Sequence, residues 1–228
     1  MSNYAIAHLS YFPVRKEADH RAENITQLLF GELFEIIDSK DNWHYIKQLS
    51  DSYEGWIDSA DLKLLSDENA VKIIEQRPAY AGGFFQQVSN EINRQTIGFG
   101  SLLPFWDGKS LIIGKDEFFL KGEVIQANPS YPNEFLIQKA KLLLGIPYLW
   151  GGRSTFGIDC SGFVQSIFKL AAVKLPRDAY QQKEIGFEIK LEDALAGDLA
   201  FFINEEGRTS HVGIIMEDQK IIHASGKV

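Results

Sequence analysis

The chain is poor in cysteine. Cys160 is the only one among 228 residues, so no intrachain disulfide can form and nothing ties the fold to an oxidising compartment. Long apolar runs are also missing, and no stretch approaches the roughly 18 residues that a bilayer-spanning helix needs. The N-terminal Met1-Ser2-Asn3-Tyr4-Ala5-Ile6-Ala7-His8 lacks the basic start and apolar core of a secretory leader. A cytoplasmic location is the expectation, unless a leader has been trimmed. Basic charge is scarce. Lys and Arg total 23 against 31 Asp and Glu, for a formal net charge of −8, and no run of Lys or Arg occurs. That excludes an electrostatic footprint for nucleic acid or an anionic membrane along the chain as a whole. Low-complexity tracts are absent as well. What is present is ordinary globular composition, 45% hydrophobic and 24% charged, in a length that suits one large domain or two to three small ones.

The texture of the sequence changes twice. From Ala5 to about Leu65, short β-branched and aromatic runs such as Leu33-Phe34-Glu35-Ile36-Ile37 and Trp43-His44-Tyr45-Ile46-Lys47 alternate with turn signals. Close-set strands of this kind predict a small barrel over residues 1–66. Residues 67–127 read as a second β-rich domain. Ile73-Ile74-Glu75, Ser101-Leu102-Leu103-Pro104-Phe105, Leu111-Ile112-Ile113 and Phe118-Phe119-Leu120 are its strand candidates, and Asp107-Gly108 is a hairpin signal. Gln86 to Asn93 fits a helical turn or a loop. Asn128-Pro129-Ser130-Tyr131-Pro132-Asn133 is a linker, and residues 128–228 form the third domain. There the period becomes helical over Glu134–Leu144 and Asp159–Leu170, then returns to strands around Leu199, Val212 and Ile221, an α+β pattern.

Cys160 opens the second of these helices. A lone cysteine is commonly a small buried hydrophobe, but a thiol at a helix N-terminus meets unpaired N–H groups and a favourable dipole. Asp159 is placed to cap the helix. Two histidines lie downstream, His211 at the start of one apolar strand and His223 at the end of the next. In an antiparallel hairpin these positions share one rim of the sheet. Each histidine alone reads as structural; together with Cys160 they make a nucleophile, a base and an orienting group. Zinc is the other use of such residues, yet the spacing matches no common zinc pattern and a fourth ligand is not evident. No metal or organic cofactor is expected.

Six motifs occur in order: Tyr148-Leu149-Trp150-Gly151-Gly152, Asp159-Cys160-Ser161-Gly162-Phe163, Leu175-Pro176-Arg177-Asp178-Ala179-Tyr180-Gln181-Gln182, Gly197-Asp198-Leu199-Ala200-Phe201-Phe202, His211-Val212-Gly213 and His223-Ala224-Ser225-Gly226. From about Phe135 to Val228 the chain resembles the NlpC-type, papain-like cysteine peptidases that cut bacterial cell-wall peptides. Pro13-Val14-Arg15, Gly31-Glu32, Trp43-His44-Tyr45-Ile46 and Tyr53-Glu54-Gly55-Trp56-Ile57 are similar to bacterial SH3-like domains. The combined arrangement, a papain-like NlpC-type domain behind one or two small SH3-like β-barrels, resembles the γ-D-glutamyl-L-diamino acid endopeptidases, the dipeptidyl-peptidase VI group.

The resemblance implies roles residue by residue. Cys160 matches the nucleophile, His211 the general base and His223 the orienting residue. The Cys160 N–H and the Tyr148 hydroxyl match oxyanion donors. Asp159 and Ser161 match the pair that holds the substrate's N-terminal end, with Asp159 on the free ammonium of L-Ala, and Tyr53 matches an SH3-like tyrosine that closes the same pocket. Trp150, beside Tyr148, is a pocket-wall candidate. The partner implied is a small murein peptide with a free N-terminal L-Ala, cut after γ-D-Glu in peptide recycling. An aspartate beside a nucleophilic thiol opposes its ionisation, and an incoming ammonium would answer that charge. Arg177 and Asp178 read as a turn ion pair or as cleft lining. The chain ends five residues after His223, where family members continue with further strands, so the expectation includes a sheet edge short of strands. Two rival readings remain: another Cys-His amidase or acyl hydrolase, and a wall-peptide binding protein with an inactive catalytic domain.

Overall fold

Alternation explains the N-terminal strands. In Trp43-His44-Tyr45-Ile46-Lys47-Gln48 only Ile46 and Gln48 are buried, and in Glu54-Gly55-Trp56-Ile57-Asp58 only Gly55 and Ile57 are. Each strand therefore turns one face to a core and one to solvent. The computed structural model describes residues 3–58 and 62–228; Met1 and Ser2, part of the stretch read for a leader, lie outside the described residues. The chain divides into two units, Met1–Ala127 and Asn128–Val228.

In the first unit, β1 (Tyr4–Ile6), β2 (Tyr11–Arg15), β3 (Asn24–Leu29), β4 (Leu33–Lys40), β5 (Trp43–Gln48), β6 (Glu54–Asp58) and β7 (Lys63–Leu64) form one sheet in the order β3-β2-β6-β5-β4-β1-β7. Phe12, Val14, Leu28, Phe34, Ile46 and Ile57 lie at the centre of its core. The next segment departs from expectation. Ile73-Ile74-Glu75, a strand candidate by sequence, belongs to helix α1 (Asp67–Glu75). Ser66 caps it by accepting the Asn69 N–H at 3.2 Å, Asp67 and Glu68 occupy the first turn, and Lys72 pairs with Glu68 one turn away. Ala70 and Ile73, three apart, are its buried residues. The apolar pair is thus used at helical period.

The remaining strands of this unit are β8 (Ala79–Ala81), β9 (Phe85–Ser89), β10 (Arg94–Gly98), β11 (Ser110–Ile113), β12 (Asp116–Lys121) and β13 (Val124–Gln126), in a sheet ordered β10-β9-β12-β11 and a β13-β8 pair. Gln86 to Ser89, whose sequence fits a helical turn or a loop, is strand. Ser101 to Phe105, expected as a strand, makes only an isolated bridge between Leu102 and Tyr80. Its Leu102 N–H is committed instead to the Phe30 carbonyl at 2.9 Å. The Asp107-Gly108 signal is a loop closed by the Asp107 carboxylate, which accepts the N–H groups of Lys109 and Ser110; the β11–β12 hairpin turns later, at Gly114-Lys115. One core cluster unites the two β-rich stretches. Ile6, Phe30, Leu33 and Leu65 pack in it with Ile73, Val88, Ile97, Leu111 and Phe118.

The second unit contains α2 (Asn133–Leu142), the short β14 (Arg153–Ser154) and β15 (Gly157–Ile158), α3 (Cys160–Phe168), α4 (Ala179–Glu184), and β16 (Leu199–Ile203), β17 (Thr209–Ile215) and β18 (Ile221–Ile222) in an antiparallel sheet with β17 central. Helix α4 has no counterpart among the expected elements. Asp178 and Gln181 start it with a capping box. Helix α3 is buried from Cys160 to Ile167 and packs against β17, α2 and α4. Among the described residues, no helix is long and apolar enough to cross a membrane.

Candidate active site

A single carboxylate fixes where α3 begins. Asp159 is extended, with φ −96° and ψ 177°, and its Oδ1 accepts the Gly162 N–H at 2.7 Å. Cys160 thereby takes the first helical position, where backbone N–H groups have no intrahelical acceptor. The other oxygen, Oδ2, accepts the Gly151 N–H at 2.9 Å. Helix and preceding loop are thus held by the same side chain. Gly162 permits the contact, since a Cβ there would lie 2.3 Å from the Gly152 carbonyl oxygen.

The charge of Asp159 has a partner that no local sequence signal assigns to it. Arg177 donates from Nη2 to Asp159 Oδ2 at 2.5 Å, and from Nη1 to Oδ1 at 3.1 Å and to Ser161 Oγ at 2.9 Å. Arg177 is 2% exposed and Asp159 5%. With Ser161 Oγ also donating to Oδ1 at 3.3 Å, both carboxylate oxygens are fully engaged by the protein. The expectation that this charge waits for a substrate ammonium is corrected to that extent: the compensating cation is internal. The segment that carries Arg177 is anchored by Gln182, whose Nε2 donates to the carbonyls of Ser161 and Pro176 at 3.1 and 2.9 Å.

The histidines meet across the β17–β18 pair. Ile214 lies opposite Ile222, and one step along the ladder Gly213 adjoins His223. A Cβ on Gly213 would fall 2.9 Å from the His223 Cβ and 2.5 Å from Ile221 Cγ2, so glycine is what lets the two strands close here. His211 Nε2 lies 2.7 Å from His223 Nδ1, with the rings edge to face. Phe202, opposite His211 on β16, places its ring 5.5 Å from that of His211 and 6.4 Å from that of His223. Phe202 is not among the sequence candidates, although the antiparallel register of Leu199–Ile203 on His211–Ile214 is a signal that could have found it.

Three ionisable groups near the thiol have shifted affinities. Burial pushes the Cys160 thiol up, and the Asp159 charge adds to this; N–H groups of Val212 and Ser161, which bond to the sulfur, and the Arg177 cation act in the opposite direction. Burial lowers His211, and His223 lowers it further, against an opposing pull from Asp159. Both shifts favour a neutral thiol and a neutral imidazole at rest. Burial raises the Tyr148 phenol to about 12, with the Cys160 and Asp159 charges contributing and Arg177 opposing. Tyr148 therefore remains a hydrogen-bond donor throughout the physiological range. Cys160, Asp159, Ser161, Tyr148 and Arg177 are gathered at one place, and Val212 brings the strand of His211 to the sulfur. Trp150 is 62% exposed in the loop between Tyr148 and Gly151. Tyr53 lies in the first unit, in the β5–β6 turn, where its N–H donates to Asp51 Oδ1 at 3.0 Å. Among the described residues, no three His, Cys, Asp or Glu side chains gather as a metal-holding group.

Residues 145–228 match the NlpC/P60 family, and residues 14–62 match the bacterial dipeptidyl-peptidase Sh3 domain. The chain is 33% identical over 218 residues to the gamma-D-glutamyl-L-lysine dipeptidyl-peptidase of Bacillus subtilis (strain 168), covering 87% of this chain and 71% of that protein. This chain belongs to the NlpC/P60 family. A second relative of the same name, from Bacillus cereus (strain ATCC 10987), is 28% identical over 87% of this chain and 66% of its own length. The crystal structure of an NlpC/P60 family protein from Bacillus cereus ATCC 10987 superposes with a TM-score of 0.85 at 22% identity, covering 98% of this chain and 91% of that one. The NlpC/P60 chain is therefore α+β, with an SH3-like domain ahead of a papain-like domain, and it is a cysteine peptidase.

Proposed function

We propose that this NlpC/P60 peptidase hydrolyses cell-wall peptides at the bond between γ-D-Glu and the diamino acid, that it requires a free N-terminal L-Ala, and that it acts in murein peptide recycling. The observation that carries the chemistry is the 2.7 Å contact between His211 and His223 beside a strand whose Val212 N–H holds the Cys160 sulfur. The names of the two Bacillus relatives support γ-D-glutamyl specificity, with lysine as the first diamino acid to try.

With His211 Nε2 engaged by His223 Nδ1, the free Nδ1 of His211 is the nitrogen available to the thiol. It removes the Cys160 proton as the sulfur attacks the γ-carbonyl carbon. Burial pushes the thiol up and the imidazole down, and both directions favour proton transfer during attack over a standing ion pair. The Cys160 N–H, free of helical partners, and the Tyr148 hydroxyl stabilise the oxyanion. His211 then protonates the departing amine, the carbon–nitrogen bond breaks, and a thioester remains. Water, deprotonated by His211, hydrolyses it and releases L-Ala-γ-D-Glu. Ser161 and the Asp159–Arg177 pair shape the floor beneath the substrate's N-terminal end, and Trp150 is proposed as a wall of that pocket.

Hydrolysis of L-Ala-γ-D-Glu-L-Lys and its diaminopimelate analogue, each beside an N-acetylated twin, tests the reading with wild type and Cys160→Ala. Cleavage of the free peptides alone, lost in the variant, is the expected result. Equal cleavage of free and acetylated peptides would overturn the amine requirement, and activity surviving in Cys160→Ala would overturn the nucleophile.

A further inference from the structure

The buried ion pair at the foot of α3 has a chemical consequence for the nucleophile. Ser, Thr and Asn cap helices as well as Asp does, without a charge. A carboxylate adjoining a nucleophilic thiol works against thiolate formation. The capping residue of α3 is nevertheless Asp159, and Arg177 is brought to it from a segment 18 residues further along the chain. We infer that Arg177 is a positioning residue for the nucleophile: it neutralises the Asp159 cap and orients it, so that the helix start keeps its anchor while Cys160 remains able to ionise.

Geometry carries this inference, which rests on Cys160 as the nucleophile. The guanidinium meets both oxygens of Asp159 and also the hydroxyl of Ser161, the residue after the cysteine. A planar fork makes such contacts together, which an ammonium cannot. At 2% exposure the cation is not screened by water, so its field reaches the sulfur. The charged and titratable groups around Cys160 come from four segments: Asp159 at the cap, Arg177 ahead of α4, Tyr148 after α2, and His211 beside Val212 on β17. Tyr148 stays neutral, and His211 exchanges the reacting proton. Asp159 and Arg177 are the fixed charges, and their effects on the thiol have opposite signs.

Because Cys160 is the only cysteine, the pH dependence of its alkylation by iodoacetamide reports its ionisation whether or not any peptide is cut. In Arg177→Met the midpoint is expected to rise by roughly 1–3 pH units. In Asp159→Asn it falls, since an asparagine still caps the helix and the cation is left unopposed. In the Asp159→Asn/Arg177→Met double variant it returns toward wild type, and Arg177→Lys recovers only part of the loss. A folded Arg177→Met protein with an unmoved midpoint would sink the inference, as would an equal rise in the double variant. Should Arg177→Met fail to fold, Asp159→Asn must still titrate below the double variant; a midpoint at or above it would overturn the inference as well. Failure of peptide cleavage with this cycle intact would count against the proposed substrate and leave the role of Arg177 standing.

Discussion

His223 is an imidazole where a carboxylate would hold the proposed general base, His211, more basic. Its effect on His211 is to lower it, in the same direction as burial. The acid limb of kcat/KM is therefore expected below the ordinary histidine value of about 6.5. Oδ1 of aspartate and Nδ1 of histidine occupy the same distance along the side chain, so in His223→Asp the limb should shift upward; a pH–rate profile of the two proteins measures this. The same shift affects stability. The folded state resists protonation of His211, so the contribution is complete above the unfolded value and is lost as pH falls toward the folded one. Chemical denaturation in a pH series should show stability declining through that window, and His211→Gln should flatten the decline. At Tyr148, replacement by Phe removes the proposed oxyanion donor without disturbing the ring, and kcat should drop about 10²–10³-fold with KM little changed in steady-state kinetics.

Secondary-structure elements differ in how much of themselves the sequence reveals. The start of α3 is legible because a cap is a local event, one side chain accepting a hydrogen bond three residues on. The meeting of His211 and His223 is legible because antiparallel pairing places the beginning of one strand beside the end of the next. The role of Arg177 is not, since its partners lie 16 and 18 residues away and nothing local distinguishes it from a turn arginine. Ile73-Ile74 misleads because a short apolar run suits either period, and only the Ser66 cap decides between them. The β17–β18 closure has its own test. Gly213→Ala introduces a methyl group against Ile221 and His223, and overpacking of this kind costs about 1–3 kcal/mol. Activity should fall further than stability, because the displaced strand runs directly into His223, the proposed orienting residue; parallel melting and hydrolysis assays separate the two.

At the scale of the whole molecule, the least legible feature is how the β-rich stretches combine. Strand runs in 1–66 and 67–127 look alike in the sequence, and no local signal states that their apolar faces share one core. Phe30 is the clearest link. Its 1% exposed ring lies in the shared cluster, and its carbonyl accepts the Leu102 N–H at 2.9 Å. Phe30→Ala should destabilise the first unit by about 3–5 kcal/mol. Urea unfolding followed by tryptophan fluorescence should show Trp43, Trp56 and Trp106 shifting together to lower denaturant, since the first two belong to one stretch and the third to the other. Independent midpoints for the two stretches would contradict a common core.

The solitary thiol also sets how the enzyme ages. Peroxide attacks thiolates, and burial with the Asp159 charge pushes the Cys160 thiol toward its protonated, slower-reacting form. Once oxidised, however, it has no second thiol in this sequence to capture the sulfenic acid as a disulfide. Resting enzyme should therefore withstand oxidant well, while each molecule that is struck depends on an outside thiol for repair before overoxidation makes the loss permanent.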